Sequence, residues 1–176
     1  MSLESGQYEI INAKSYISRH PVEDRSFSPK LIVGLLIDDE PRDEEIEKLV
    51  RRWTVEKVNN GYILKAHGVP TGNYEDYVHA FMKDQNKAEH WILDPVESPN
   101  PNLKFAIRTQ DRKKGWIAQE GSTFDDPEPV NMQPFESREA RKSLTVSMKV
   151  KCEPLSGSDG NYPSNEIFQF SKVTGN

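Results

Sequence analysis

Short apolar stretches recur along the whole chain, and many of them alternate apolar and polar residues. Trp53-Thr-Val55 and Leu144-Thr-Val-Ser-Met-Lys-Val150 are two examples. A period of two is typical of a β-strand with one buried face, because successive side chains point to opposite faces of a sheet. Twelve prolines and ten glycines separate the stretches, which disfavours long helices. The pattern therefore predicts an all-β protein.

The same four-part succession of stretches occurs three times. Each unit opens with an aromatic-x-aliphatic strand, continues with a short or glycine-marked segment and a third apolar strand, and closes with a bulky aromatic ring. In chain order the positions are Tyr8-x-Ile10, Tyr16-Ile17, Leu31–Ile37 and Trp53-x-Val55; Tyr62-x-Leu64, Gly68-Val69, Tyr77–Met82 and Trp91-x-Leu93; Phe105-x-Ile107, Gly115-Trp-Ile117, Val130–Met132 and Phe168-x-Phe170. An internal repeat of this size has priority over local propensity in assigning a fold. It predicts a β-trefoil with pseudo-threefold symmetry, a six-stranded barrel capped by three hairpins, over a single domain of residues 1–176.

Two polar segments interrupt the repeat and are expected to be surface insertions. Asp38–Arg52 is highly charged, and its part from Pro41 onward has proline and acids at its start and basic residues at its end, as a short helix prefers. Glu136–Asn161 is polar and rich in serine and glycine, although Leu144–Val150 within it alternates like a strand. Between two strands, Asn59-Asn60-Gly61 predicts a hairpin turn, because Asn and Gly adopt positive φ at low cost.

Composition and charge narrow the location and the classes of partner. The chain has a formal net charge of −5 without a basic patch, which disfavours nucleic acid as a partner. No apolar run reaches the roughly 20 residues of a membrane span, and the N-terminus lacks the pattern of a secretion signal. Cys152 is the only cysteine, which fits a reducing environment. These features predict a cytoplasmic protein that binds neither nucleic acid nor membrane, with a monomer as the default state.

No group of residues predicts catalysis, a metal or a cofactor. The four histidines, His20, His67, His79 and His90, lack the spacing of a zinc site, and His79 is expected to be a core or edge residue. The acidic run Asp38–Glu47 lacks the spacing of a calcium loop. Cys152 has no catalytic context and is expected to be an inert thiol. Nucleophile elbows, phosphate-binding loops and dinucleotide fingerprints are absent, so we predict no enzyme.

Several short phrases, in the same order from residue 3 to residue 170, carry a resemblance to a known family. The phrases are Leu3-Glu-Ser-Gly-x-Tyr8, Pro21-Val-Glu-Asp-Arg-Ser26, Pro29-Lys30, Trp53-Thr-Val-Glu-Lys57, Gly61-Tyr-Ile-Leu-Lys65, Gly68-Val-Pro-Thr-Gly72, Glu89-His-Trp-Ile92, Gly115-Trp-Ile-Ala118 and Tyr162-Pro-Ser-Asn-Glu-Ile-Phe168. With them the chain resembles the mushroom β-trefoil serine protease inhibitors of the cospin type. The resemblance implies inhibition of a trypsin-like serine protease by the loop between the second and third strands. It also places the family's primary-site arginine at Arg25.

The loop Pro21–Pro29 has the residue types that substrate-like inhibition requires. Arg25 would enter the anionic pocket of the protease with Ser26 after the reactive bond, while Val22, Glu23, Asp24 and Phe27 would fill the flanking subsites. Pro21 and Pro29 bracket the loop and fix φ at both ends, and the oxygens of Glu23, Asp24 and Ser26 can bind local backbone N–H groups. Without the resemblance, an Arg-Ser pair in a polar loop indicates only a solvated loop.

Three other functions remain open from the sequence. A cysteine protease inhibitor would use another loop, such as Gly68-Val-Pro-Thr-Gly72 or the insertion at Glu136. A carbohydrate-binding trefoil lectin is disfavoured because the Gln-x-Trp signature is absent. An enzyme is disfavoured for the reasons given above. Trp53, Trp91 and Trp116 lie within the repeat and are expected to pack in the core instead of stacking on sugars.

Overall fold

The computed structural model describes residues 2–20, 26–36, 51–97, 103–120 and 146–173. These residues form an all-β fold with two short 3₁₀ turns, at Gln85–Lys87 and Ser164–Glu166. The strands are β1 Gly6–Asn12, β2 Ser15–Arg19, β3 Lys30–Leu36, β4 Trp53–Val58, β5 Gly61–Ala66, β6 Val69–Tyr74, β7 Tyr77–Ala80, β8 Trp91–Pro95, β9 Leu103–Thr109, β10 Gly115–Glu120, β11 Val146–Glu153 and β12 Phe168–Lys172. The all-β prediction is confirmed. Within the same ranges, no helix is long and apolar enough to cross a membrane.

The strands pair antiparallel into a sheet that closes on itself. One circuit of pairings runs from β1 to β4, β5, β8, β9 and β12 and then returns to β1. The remaining strands form the hairpins β2–β3, β6–β7 and β10–β11. These hairpins are joined to one another through β3–β7, β3–β11 and β7–β11. Closure pairs the strand edges that would otherwise be left open, which removes a common route to aggregation.

Four aromatic rings fill one part of the core. The closing rings predicted for the three units, Trp53, Trp91 and Phe168, all contact Trp116 of β10, at centroid distances of 5.7, 5.3 and 5.7 Å. All four side chains are fully buried. The Trp91 and Phe168 rings meet Trp116 edge-on, a geometry that aromatic pairs favour. The prediction that the three tryptophans pack in the core is confirmed.

The predicted hairpin turn at Asn59-Asn60-Gly61 connects β4 to β5, and the glycine is its demanding position. Gly61 has φ +141°, a region that side chains rarely adopt. A Cβ at this position would lie 2.4 Å from the Trp91 carbonyl oxygen of the neighbouring strand β8. The backbones of β5 and β8 therefore approach so closely that only glycine fits.

The third strand of the third unit differs from its prediction. Val130–Met132 lies outside the described residues, and the strand that the structure describes between β10 and β12 is β11, Val146–Glu153. The expectation that all of Glu136–Asn161 is a surface excursion is therefore wrong for this part. Met148, Val150 and Cys152 alternate along β11 and are buried in the main core cluster. Most of the other predicted insertion, Asp38–Arg52, lies outside the described residues.

Candidate functional site in the loop between β2 and β3

The hairpin that carries the predicted reactive loop is firmly built into the sheet. β2 and β3 pair from Ser15↔Leu36 to Arg19↔Ile32, so the loop leaves the sheet after Arg19 and returns at Lys30. Ile17, Ser18 and Arg19 are buried at the end of β2. On its other side, β3 pairs with β7 and β11. The loop therefore begins and ends on backbone that neighbouring strands hold in place.

The structure describes only the later part of the predicted reactive loop. Pro21, Val22, Glu23, Asp24 and Arg25 lie outside the described residues, so their assigned roles stay predictions.

The described part of the loop, which follows Arg25, is exposed. Ser26 and Ser28 are exposed, Phe27 has 71% of its surface accessible, and Pro29 is half-buried next to β3. This exposure is unusual for the protein, because the other phenylalanines in the described segments are buried. Its exposure leaves Phe27 available to a partner.

Ser26 is held by two hydrogen bonds, one from within the loop and one from the first residue of β3. Its Oγ accepts from the Ser28 backbone N–H and from the Lys30 ammonium, each at 3.2 Å. The bond from Ser28 is the local backbone bond expected for this serine. The contact with Lys30 was not predicted, and it brings in a side chain that is only 6% exposed. The exposed loop is thus connected directly to a buried group.

The loop segment considered as an alternative contact is mostly inaccessible. Residues 69–72 of Gly68-Val-Pro-Thr-Gly72 belong to strand β6, where Pro70, Thr71 and Gly72 are buried and only Gly68 is exposed. A Cβ on Gly72 would lie 2.7 Å from the Lys87 carbonyl oxygen. This segment therefore packs inside the protein and does not form a projecting loop.

The histidines and acidic residues do not form a metal centre in the part of the chain that the structure describes. No three His, Cys, Asp or Glu side chains come together there. His79 is half-buried, its Nδ1 lies 3.2 Å from the Tyr77 carbonyl oxygen, and burial lowers its pKa. Burial also raises the pKa of Glu89, which accepts a hydrogen bond from the Asn73 backbone N–H. The first contact lies within β7, and the second joins the segment before β8 to β6.

The single cysteine is buried near the C-terminal end of β11. Burial raises the pKa of the Cys152 thiol to about 12, so the thiol stays protonated between pH 7 and pH 9. A protonated thiol is a poor nucleophile, because the thiolate is the reactive form. We expect no reaction with a thiol-specific reagent at pH 8 in the folded protein, and one equivalent of reaction after unfolding in guanidinium. The absorbance of the chromophore that the thiol reagent releases measures the extent of reaction in the folded and in the unfolded protein. Rapid labelling of the folded protein would contradict the buried position.

Comparison with known proteins identifies the family of this chain. The family model described as peptidase inhibitor I66 matches residues 1–172. The chain belongs to this inhibitor family. It is 39% identical over 117 residues to a protein of Lentinula edodes named serine protease inhibitor, a match that covers 66% of this chain and 75% of that protein. The resemblance read from the sequence phrases is confirmed.

A solved structure agrees with the fold of this family member. The structure of a proteinase inhibitor from Coprinopsis cinerea matches with a TM-score of 0.66 and covers 98% of this chain and 100% of its own. The sequence identity is 24%, so the likeness concerns the fold. The closed all-β sheet is therefore an architecture that a proteinase inhibitor also adopts.

Proposed function

We propose that this protein inhibits a trypsin-like serine protease in a substrate-like and reversible manner, with Arg25–Ser26 as the reactive bond. Membership of a peptidase inhibitor family supports the inhibitory role. The name of the Lentinula edodes relative supports a serine protease as the target. Arg25 supports the trypsin-like class, because a planar, permanently charged guanidinium suits an anionic specificity pocket.

The scaffold that we propose is a β-trefoil. Two features support it: the strands follow one another in three groups of four, and the pairings separate into a circuit of six strands and three hairpins. In such a scaffold the β2–β3 loop projects from one hairpin, while the circuit and the two other hairpins support it. The loop can then bind without reorganising the sheet.

The observation that carries the proposal is an exposed loop that is hydrogen-bonded to a nearly buried residue of the sheet. Phe27 is largely exposed, whereas Ser26 beside it is bonded to the nearly buried Lys30. A loop held in its bound shape avoids part of the ordering cost of association. Exposure allows a protease to reach the bond, and fixation favours tight binding over turnover.

Titration of trypsin with the wild-type protein and with the Arg25→Ala variant tests the proposal. We expect the wild type to inhibit and the variant to lose inhibition without a change in its thermal unfolding, because substitutions in exposed loops cost little stability. Papain serves as the second protease. Inhibition of papain alone would support the cysteine protease alternative, and full inhibition of trypsin by Arg25→Ala would show that the reactive residue lies elsewhere.

A further inference from the structure

The lysine at the base of the loop occupies an unusual position for its residue type. Lys30 begins β3 and is 6% exposed, whereas lysines are almost never fully buried unless their charge is paired with polar groups. Its backbone pairs with Ala80 of β7, which is itself fully buried. The pairing of β3 with β7 therefore fixes the backbone position from which the Lys30 side chain extends.

The ammonium of Lys30 donates a hydrogen bond to the loop. Its Nζ donates to the Oγ of Ser26 at 3.2 Å. The same Oγ also accepts the Ser28 N–H, so both acceptor lone pairs of this hydroxyl are in use. A hydrogen bond from a charged donor is stronger than one between neutral groups. Ser26 is thus held both by its own loop and by a side chain of the sheet.

In the proposed reaction Ser26 is the residue on the leaving-group side. Attack by the serine hydroxyl of the protease breaks the bond between the Arg25 carbonyl carbon and the Ser26 nitrogen. An ester forms between that carbon and the serine oxygen, and the proton of the hydroxyl passes to the Ser26 nitrogen, which becomes a free amine. Attack of this amine on the ester reverses each change and restores the intact loop, whereas attack by water completes hydrolysis.

We infer that Lys30 is a positioning residue that keeps the Ser26 amine beside the ester, so that religation prevails over hydrolysis. The inference rests on the proposed function and assigns a role to a buried residue outside the reactive bond. Holding a reacting group in place raises its effective concentration far above that of a free amine. The contact between Lys30 and Ser26 does this at the base of the loop, while Phe27 next to Ser26 stays exposed.

The test uses variants that remove or preserve the contact. Lys30→Met keeps an unbranched apolar stem and removes the donor, Ser26→Ala removes the acceptor, and Lys30→Arg retains a charged donor. The double variant Lys30→Met with Ser26→Ala shows whether the two changes act through one interaction. Ala80→Gly is the matched control, because it weakens β7 opposite Lys30 and leaves the donor and the acceptor unchanged.

Two rates are measured for each protein with trypsin: the rate of association, and the rate at which the Arg25–Ser26 bond is cleaved, followed by mass spectrometry. For Lys30→Met and for Ser26→Ala we expect cleavage to accelerate about tenfold or more, the effect of losing a hydrogen bond to a charged group. Association should change by less than about threefold, because such variants mainly alter later steps. The double variant should be cleaved no faster than the faster single variant, and Lys30→Arg and Ala80→Gly should resemble the wild type.

The outcomes separate this inference from the proposed function. If the wild type does not inhibit trypsin, both fail. If the wild type inhibits and Lys30→Met is cleaved no faster, the role of Lys30 alone is overturned. Faster cleavage of Ala80→Gly to the same extent as Lys30→Met would also overturn it, because general loosening of β3 and β7 would then explain the effect. Thermal unfolding of every variant shows which of them are folded at the assay temperature.

Discussion

Arg25→Glu is expected to abolish inhibition of trypsin, whereas Arg25→Lys is expected to weaken inhibition without abolishing it. Removing one partner of a buried charge pair at an interface costs about 2–5 kcal/mol, and a carboxylate adds repulsion with the anionic pocket of the protease. We therefore expect the inhibition constant to rise at least about a thousandfold, since about 1.4 kcal/mol corresponds to a factor of ten. Lysine keeps the charge and loses the bidentate geometry, so its constant should rise by about tenfold.

Inhibition constants from steady-state assays of trypsin measure this series, with Lys113→Glu as the matched control. Lys113 is exposed on the connection between β9 and β10, so its reversal makes the same change in net charge on a different loop. The control should inhibit as the wild type does. If Lys113→Glu weakens inhibition as much as Arg25→Glu, long-range electrostatics and not the specificity pocket would explain the effect. Equal inhibition by Arg25→Glu and wild type would contradict the assignment of Arg25.

Much of the fold could be predicted because periodicity and repetition are local properties of the sequence. Eleven of the twelve strands in the described residues coincide with stretches that the threefold repeat assigns as strands. The exception is β11, where the spacing of the repeat favoured Val130–Met132 over the longer alternating segment Leu144–Val150. A period of two identifies a strand but not its partners. Only the closed sheet shows that the face of Met148, Val150 and Cys152 completes the core.

The candidate site was predictable in its location but not in its support. A proline-bracketed polar segment between two strands and the family phrases indicate the loop. The contact that fixes Ser26 depends on the burial of Lys30, and this burial arises because β3 pairs with β7. This pairing joins parts of the chain that are distant in sequence, and no local pattern around Lys30 predicts the pairing. Lysine in a polar segment is by default a solvated residue, so the sequence alone favours the wrong environment.

The centre of the aromatic cluster should be the most sensitive position for stability. Trp116 contacts Trp53, Trp91 and Phe168 at once, so its removal leaves a cavity that several strands would have to close together. We expect Trp116→Ala to lower the free energy of unfolding by about 3–5 kcal/mol, the usual cost of truncating a large buried aromatic. Urea unfolding followed by circular dichroism measures it. A loss below about 1 kcal/mol would contradict the central position of this ring.

Substitution by phenylalanine separates packing from hydrogen bonding at two of these tryptophans. The indole Nε1 of Trp91 donates to the Thr71 Oγ1 at 3.1 Å, and Trp116 Nε1 has no hydrogen-bond partner within the described residues. Both changes remove the same atoms, but only Trp91→Phe leaves a buried acceptor without its donor, at a cost of about 1–3 kcal/mol. We therefore expect Trp91→Phe to be more destabilising than Trp116→Phe in the same urea experiment, even though Trp116→Ala exceeds both. The reverse order would mean that the N–H of Trp116 contributes more to stability than that of Trp91, and that the hydrogen bond to Thr71 is not what distinguishes the two rings.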